Sequence, residues 1–428
     1  MPMKSILVIG YVWPEPNSSA AGTRMLQLLD FFQSEAYSVT FATTASETIH
    51  IEDLKILGIK TQKIELNNSS FDDFIQDLQP EIVVFDRFMM EEQFGWRVSN
   101  ICPDVLKILD TEDLHFLRNF RQNAFKNKNI HPALLKESEL AKREIASIYR
   151  CDLSLIISRS EMEVLEEQFN IPQNLLLYLP FLLDPITADT ILQLPGFEDR
   201  QHFISIGNFR HPPNVDAVIY LKKEIWPFIQ KQLPKSQMHI YGAYATARIT
   251  ELHSPKENFL IKGWAKSAPE AVKNAKISLA PLRFGAGLKG KLIEAMQCGT
   301  PTVTTNIGAE GMHGDLCWNG SIKNMPEDIA DAAVSLYTSE IKWKLAQNNG
   351  FNIINSRYSK SDFHKILHSR IKFLKEELKM HRQNNFIGAM LVHHRTKSTY
   401  FLSKYIEIKN ELLRLKNPPG MHPERSEG

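Results

Sequence analysis

The sequence predicts an α/β protein made of two doubly wound parallel-sheet domains, and three observations carry that expectation. The chain has 428 residues, too many for one hydrophobic core when domains usually hold roughly 100 to 200. Short β-branched runs alternate with amphipathic stretches along most of it, the mark of a parallel sheet covered by helices on both faces. The alternation lapses once, from Leu179-Pro-Phe-Leu-Leu-Asp-Pro185 through a turn-rich, weakly periodic segment to Gln201, and then starts again.

In the first series, strands are predicted at Ser5 to Val12, Tyr37 to Ala42, Glu81 to Phe85, Leu106 to Leu109 and Leu153 to Ile157. The second series has them at His202 to Ile206, Gln237 to Tyr241, Asn258 to Ile261, Ile277 to Ala280 and Thr302 to Thr304. From about Pro326 to Leu378 the pattern is helical, and after His381 the periodicity breaks. The resulting expectation is a first domain over 1–185, a second over 200–355, a helix over 356–380 packing back toward the first, and a basic, partly disordered tail over 381–428.

With 43% hydrophobic and 23% charged residues, the composition is that of a folded globular protein. The net charge of +1 argues against a nucleic-acid partner, which needs a broad basic surface. It conceals one asymmetry: residues 364–416 hold twelve Lys or Arg against four Glu. Cys102, Cys151, Cys298 and Cys317 are scattered, without the spacing of a zinc site or a disulfide framework. Met1-Pro-Met-Lys-Ser-Ile-Leu-Val-Ile-Gly10 runs straight into a strand pattern with no signal-peptide core, and no apolar run nears the roughly 20 residues of a membrane span. The expected location is the cytoplasm, with any membrane contact peripheral, at the inner face, through the basic segment 381–416. There Arg382, Arg395, Lys397, Lys404 and Lys409 interleave with Phe386, Leu391, Tyr400, Phe401 and Ile406.

The chemistry concentrates in Ala280-Pro-Leu-Arg-Phe-Gly-Ala-Gly-Leu-Lys-Gly-Lys-Leu-Ile-Glu-Ala-Met-Gln-Cys-Gly-Thr-Pro301, a strand, a glycine-rich turn and a short helix. Gly285, Gly287 and Gly290 let backbone amides approach a ligand, and Lys289 and Lys291 add charge near the helix N-terminus, the pattern of a phosphate site. The bland reading is a tight turn with solvated lysines. Arg283 and Glu294 tip the balance toward a ligand, because a carboxylate about one helical turn beyond a phosphate site can accept both hydroxyl protons of a ribose.

This stretch, from Pro281 to Val303, resembles the glycine-rich loop and glutamate-bearing helix of the group 1 glycosyltransferases. The adjoining Thr304-Thr-Asn-Ile-Gly-Ala-Glu-Gly-Met312 is similar to the family's loop around the donor diphosphate and sugar, and Phe203-Ile-Ser-Ile-Gly-Asn-Phe-Arg-His-Pro-Pro-Asn-Val-Asp-Ala217 to the segment that opens its donor domain. The resemblance implies the GT-B architecture, two Rossmann-like domains facing a cleft with a helical C-terminal extension. It also implies a nucleotide diphosphate sugar as donor, no cofactor and no required metal, and transfer with retention. Glu294 then falls on the donor ribose, and Glu310, Gly311 and Met312 near the diphosphate and sugar. Three positions depart from the pattern: Ala286 stands where the family has its first motif glutamate, and Asn208 and Pro213 where it has Arg and Lys. Arg210, Arg283, Lys289 and Lys291 are the cations expected to replace that pair.

In the first domain, Trp13-Pro-Glu-Pro-Asn-Ser-Ser-Ala-Ala-Gly-Thr-Arg24 resembles the family's glycine-containing loop, with Gly22 and Arg24 as donor-side candidates against the plainer reading of a polar turn before a helix. Asp110-Thr-Glu-Asp-Leu-His-Phe-Leu-Arg118 and Asp86-Arg87 follow strands and so lie at the carboxyl edge of the sheet, where open α/β folds place ligands. His115 is expected as a cleft histidine, and Asp86, Arg87, His115 and Arg118 as the acceptor side, although a lone histidine or an Asp-Arg pair is often purely structural. His115, Lys289 and Glu310 are the catalytic candidates. The expected function is sugar transfer to a glycan or lipid-linked acceptor in surface polysaccharide or glycoconjugate synthesis. Two rivals stand beside it: a catalytically inactive nucleotide-sugar-binding or scaffold protein, and a dinucleotide oxidoreductase, disfavoured because Gly10-Tyr-Val-Trp-Pro lacks GxGxxG.

Overall fold

A computed structural model describes residues 4–127 and 131–416. Its first sheet has seven strands: β1 (Ser5–Gly10), β2 (Ser38–Thr43), β3 (Lys60–Lys63), β4 (Ile82–Asp86), β5 (Leu106–Asp110), β6 (Leu153–Ile156) and β7 (Leu176–Tyr178). The second has six: β8 (Gln201–Ile206), β9 (Met238–Tyr241), β10 (Phe259–Gly263), β11 (Ala275–Ala280), β12 (Thr302–Thr304) and β13 (Gly320–Ile322). Strand order is β3-β2-β1-β4-β5-β6-β7 in one and β10-β9-β8-β11-β12-β13 in the other, with every paired strand parallel.

Ten strands match the predicted segments to within one or two residues at their ends. The three that periodicity does not reveal, β3, β7 and β13, are short and carry little pattern: all are sheet edges, β3 the polar Lys-Thr-Gln-Lys, β7 Leu-Leu-Tyr and β13 Gly-Ser-Ile. Central strands such as β4 and β5 are buried at every residue because helices cover both faces.

Both sheets reverse their winding direction once, between β1 and β4 and between β8 and β11. Ligands in open α/β sheets bind outside the carboxyl ends of the strands at such reversals. The loops leaving β1, β4, β5, β8 and β11 are therefore the ones that matter for the site.

Near its end the chain returns to the first sheet. Leu367, Ile371 and Leu374 of the helix Lys360–Asn384 share an apolar cluster with Ile6, Val8 and Leu28. The segment after His381, expected to be partly disordered, is instead a 31-residue helix, Phe386–Lys416, laid against the helices Phe88–Ile101 and Glu139–Arg150. Its inward contacts explain why periodicity missed it. They use Gly388 against the Tyr149 carbonyl, Ser403 and the Glu407–Arg97 pair rather than an apolar stripe. Residues 417–428, expected to be disordered, lie outside the described residues. Among the described residues, no helix is long and apolar enough to cross a membrane.

Candidate active site

A cleft of ≈ 900 Å³ opens between the two sheets. From the first half it is lined by Pro16 to Ala21, Thr23, Arg87, Glu112, Asp113, His115 and Arg118, and from the second by Asn208, His211, Asn214, Gly285, Ala286, Lys289, Gly290, Lys291 and Glu294. Seven predicted residues thus meet in one place: Arg87, His115, Arg118, Gly285, Lys289, Lys291 and Glu294.

The second-sheet wall carries cations held away from bulk water. Lys289 Nζ donates to the Gly287 carbonyl at 2.8 Å, and Lys291 Nζ to Asn214 Oδ1 at 2.7 Å. Burial lowers both ammonium groups to about 8, the pull of Glu310 and Glu161 on Lys289 opposing the drop. Glu294 lies on the helix Gly290–Gln297, and burial raises its carboxyl to about 7. Among the described residues, that carboxylate accepts no hydrogen bond and forms no ion pair. Two poorly hydrated lysines and an unpaired carboxylate on one wall are equipped to meet a ligand with both anionic and hydroxyl groups.

The first-sheet wall is an array of charges at strand ends. Asp86 and Asp110 are register partners on β4 and β5, and both are buried. Arg87 and Glu112, just beyond those ends, hold left-handed backbone angles, φ 70° and 63°, which non-glycine residues rarely adopt. Arg87 lies 5.0 Å from the centre of the Tyr11 ring and its Nε 3.5 Å from Asp86 Oδ1. Burial, reinforced by the Asp110 carboxylate, raises Glu112 to about 8. His115 Nε2 is 3.5 Å from Asp113 Oδ1, and burial lowers its pKa to about 3 despite that neighbour, so it is neutral at ordinary pH. His211, facing it from the other half, is lowered to about 4, by burial first and Arg118 second. Arg118 is fixed by Asp113 at 2.5 Å.

Several predicted site residues are occupied elsewhere. Arg24 is 1% exposed: its Nε and Nη2 bind Asp110 at 3.0 and 2.8 Å, and Nη1 donates to the Leu179 and Pro180 carbonyls. It joins the first helix to β5 and to the crossing segment, and does not line the cleft. Gly22 packs on Glu15, where a Cβ would stand 2.5 Å from backbone atoms. Arg210 lies over the Tyr244 ring at 3.5 Å. Arg283 pairs with Asp216 at 2.6 Å between Phe125 and Tyr220. Asp86 Oδ2 accepts from the Tyr11 amide at 2.9 Å behind Arg87.

The loops meant to cradle phosphate also hold the halves together. Gly287, at φ 64°, turns its amide toward the first half, where Glu161 Oε1 accepts it at 2.9 Å; a Cβ there would stand 2.8 Å from Asp113 Cβ. Glu310 is bidentate to Arg121 at 2.6 and 2.8 Å, and Arg121 also donates to the Gly285 carbonyl. Gly311, at φ 73°, abuts Ser158, and Met312 is fully buried. On the opposite rim Tyr244 donates to Glu15, and Trp264 Nε1 to the Asn17 carbonyl at 3.2 Å.

Sequence reasoning missed Glu112, Asp113 and His211 as cleft residues. All three lie inside segments it singled out, so the strand-end position itself was the available signal. Glu161 and Arg121 had no such signal, because their importance comes from contacts over 126 and 189 residues of sequence.

Comparisons with known proteins bear on the fold. A profile of the family described as Glycosyl transferases group 1 matches residues 200–339. An uncharacterized 44.6 kDa protein in the cps region of Klebsiella pneumoniae is 20% identical over 347 residues, covering 73% of this chain and 86% of that one. Among solved structures, a TarM variant from S. aureus in complex with Fondaparinux, alpha-GlcNAc-glycerol and UDP has a TM-score of 0.66 at 11% identity, covering 86% of this chain and 99% of its own. HepE from Anabaena, in complex with UDP and glucose, has a TM-score of 0.60 at 13% identity, covering 87% of this chain and 100% of its own. The chain therefore has the GT-B fold and, over residues 200–339, matches the family of the group 1 glycosyltransferases.

Proposed function

We propose that this chain transfers a glycosyl group from a nucleotide diphosphate sugar, bound against Lys289, Lys291 and Glu294, to a glycan or lipid-linked acceptor entering along Arg87, Glu112, His115 and Arg118. The observation that carries the reading is the pairing of these two walls across one cleft. A departing diphosphate gains negative charge, and cations already stripped of water stabilise it more than solvated ones. Lys289 and Lys291 fit that task. Glu294, unpaired beyond them, fits the two hydroxyls of a ribose. Neutral His115 fits hydrogen bonding to a sugar hydroxyl better than a charged role.

Retention of configuration is part of the proposal and rests on the resemblance of the 281–312 segment to the family. So does a setting in polysaccharide or glycoconjugate synthesis, with the Klebsiella pneumoniae relative in the cps region as further support. Ala286 on the cleft wall favours a second reading, a nucleotide-sugar-binding protein without transfer activity. A thermal-shift panel of nucleotide sugars, followed by donor turnover with Lys289→Ala and Lys291→Ala variants, tests both. Binding with turnover that a lysine variant lowers at least about tenfold supports transfer. Binding without turnover supports the second reading, and the absence of binding by any donor overturns both.

A further inference from the structure

The helix Phe386–Lys416 has two apolar-bearing faces, and only one is used. Inward, Asn385 at its start donates to the Tyr149 carbonyl at 2.8 Å, Tyr400 meets Trp96 edge-on at 5.7 Å, and Arg97 reaches Ser403 and Glu407. Outward, Ile387, Met390, Phe401, Tyr405, Ile408 and Leu412 fall within about 60° of one another on a helical wheel. Their exposures run from 43% for Met390 to 68% for Phe401. These form two groups on one stripe, Ile387 with Met390 and Phe401 to Leu412, separated by the polar run 393–399, and large exposed apolar groups of this kind mark a contact surface rather than ordinary solvent exposure.

Charge selects the occupant. The helix carries six Lys or Arg against two Glu, and Glu407 is turned inward onto Arg97. Lys404 shares that carboxylate at 2.8 Å, and by sequence the helix keeps a surplus of four positive charges. A second copy would bring the same basic helix against itself, with like charges opposed. An anionic lipid surface supplies the opposite sign along the whole length, and its headgroup boundary accepts apolar side chains lying in the plane of the membrane.

We propose that the outward face of Phe386–Lys416 is a docking surface for an anionic bilayer, with the helix lying in the plane of the interface and its apolar row among the lipids. The surface belongs to the half that carries the first sheet, because the helix packs on Phe88–Ile101 and Glu139–Arg150. It does not depend on which sugar the cleft transfers.

The test uses the full chain with vesicles of phosphatidylcholine alone and of phosphatidylcholine with phosphatidylglycerol, at low and high salt. Deleting the helix is a poor control, because it uncovers Arg97, which is 2% exposed. The triple variant Phe401→Ser, Tyr405→Ser, Ile408→Ser changes only exposed side chains, and Ile387→Ser with Met390→Ser is a second, separate variant. The wild type is expected to sediment with anionic vesicles and far less with neutral ones, more weakly at high salt, and each variant to bind at least about tenfold more weakly with an unchanged unfolding midpoint. Wild type that ignores anionic vesicles, or variants that bind as well as wild type, overturns the proposal. So does a concentration-dependent dimer that the triple variant abolishes, which assigns the face to a second copy.

Discussion

The Glu161 carboxylate and the Gly287 amide, one from each half of the chain, meet at 2.9 Å through Oε1, and the same oxygen accepts the Leu114 amide, also at 2.9 Å. Glu161 is 1% exposed, its second oxygen has no partner, and burial, with Asp113 next, raises it to about 7. Glu161→Ala leaves two amides without an acceptor and is expected to cost about 2 to 4 kcal/mol. Glu161→Gln keeps one acceptor oxygen and should cost less. Urea unfolding gives the stabilities, and solution scattering reads the separation of the halves, which should grow in the alanine variant. Equal stability and equal dimensions for all three proteins would mean that the contact holds nothing together.

Arg24 and Asp110 make the opposite kind of test, since the sequence offered Arg24 as a donor contact and the structure gives all three of its guanidinium nitrogens to protein. Removing one partner of a fully buried pair typically costs about 3 to 5 kcal/mol because the other charge is stranded. Arg24→Ala should therefore lower stability by that order and leave the donor affinity of the folded protein unchanged. A stable variant with weakened donor binding would return Arg24 to the site.

These two residues also show what was legible. The sheet reversals, the strand ends and the loop after β11 follow from local pattern, which is why Lys289, Lys291, Glu294 and His115 could be placed at one cleft before any coordinates. Arg24, Arg283 and Glu310 sit in equally suggestive segments. Whether such a cation or carboxylate faces ligand or protein depends on its tertiary partner: Asp110, Asp216 and Arg121 lie 86, 67 and 189 residues away. The C-terminal helix escaped for a related reason: the polar run 393–399 breaks its apolar period, and its inward contacts are made by Gly388, Ser403 and Glu407.

Glu294 links donor binding to pH. Its folded pKa of about 7 lies above its ordinary 4.5, so the folded state binds the proton more tightly. Stability from this group is complete below the unfolded value and is lost as pH rises through the folded one. Glu294→Gln, which mimics the protonated form, should thus be stabilising at pH near 8 by about 1 to 3 kcal/mol and neutral at pH near 4. The same substitution should weaken the best nucleotide sugar by about 1.5 to 3 kcal/mol if the carboxylate holds the ribose. Unfolding curves at the two pH values and calorimetric titration at the upper one separate the effects. Unchanged donor affinity would remove the ribose assignment while leaving the burial argument intact.

Glu112 is held in a left-handed conformation at φ 63°, lines the cleft, and makes no hydrogen bond or ion pair among the described residues. Glycine adopts that backbone freely, so Glu112→Gly should be more stable than Glu112→Ala by about 1 kcal/mol. Burial and the Asp110 carboxylate raise its carboxyl to about 8, which places Glu112 among the groups that destabilise the fold increasingly as pH rises from 4.5 toward 8. Both glycine and glutamine variants should therefore gain stability on wild type at pH near 8. A residue that strains the backbone and burdens the fold while lining the cleft is a candidate for a functional contact. On the proposed placement of the donor on the opposite wall, the partner of Glu112 is the acceptor. The expected outcome is unchanged donor affinity by calorimetric titration and turnover at least about tenfold lower in Glu112→Gly and Glu112→Ala. Full turnover in both variants would make the strain a local accident of the β5 end, and a parallel loss of donor affinity would move Glu112 to the donor side.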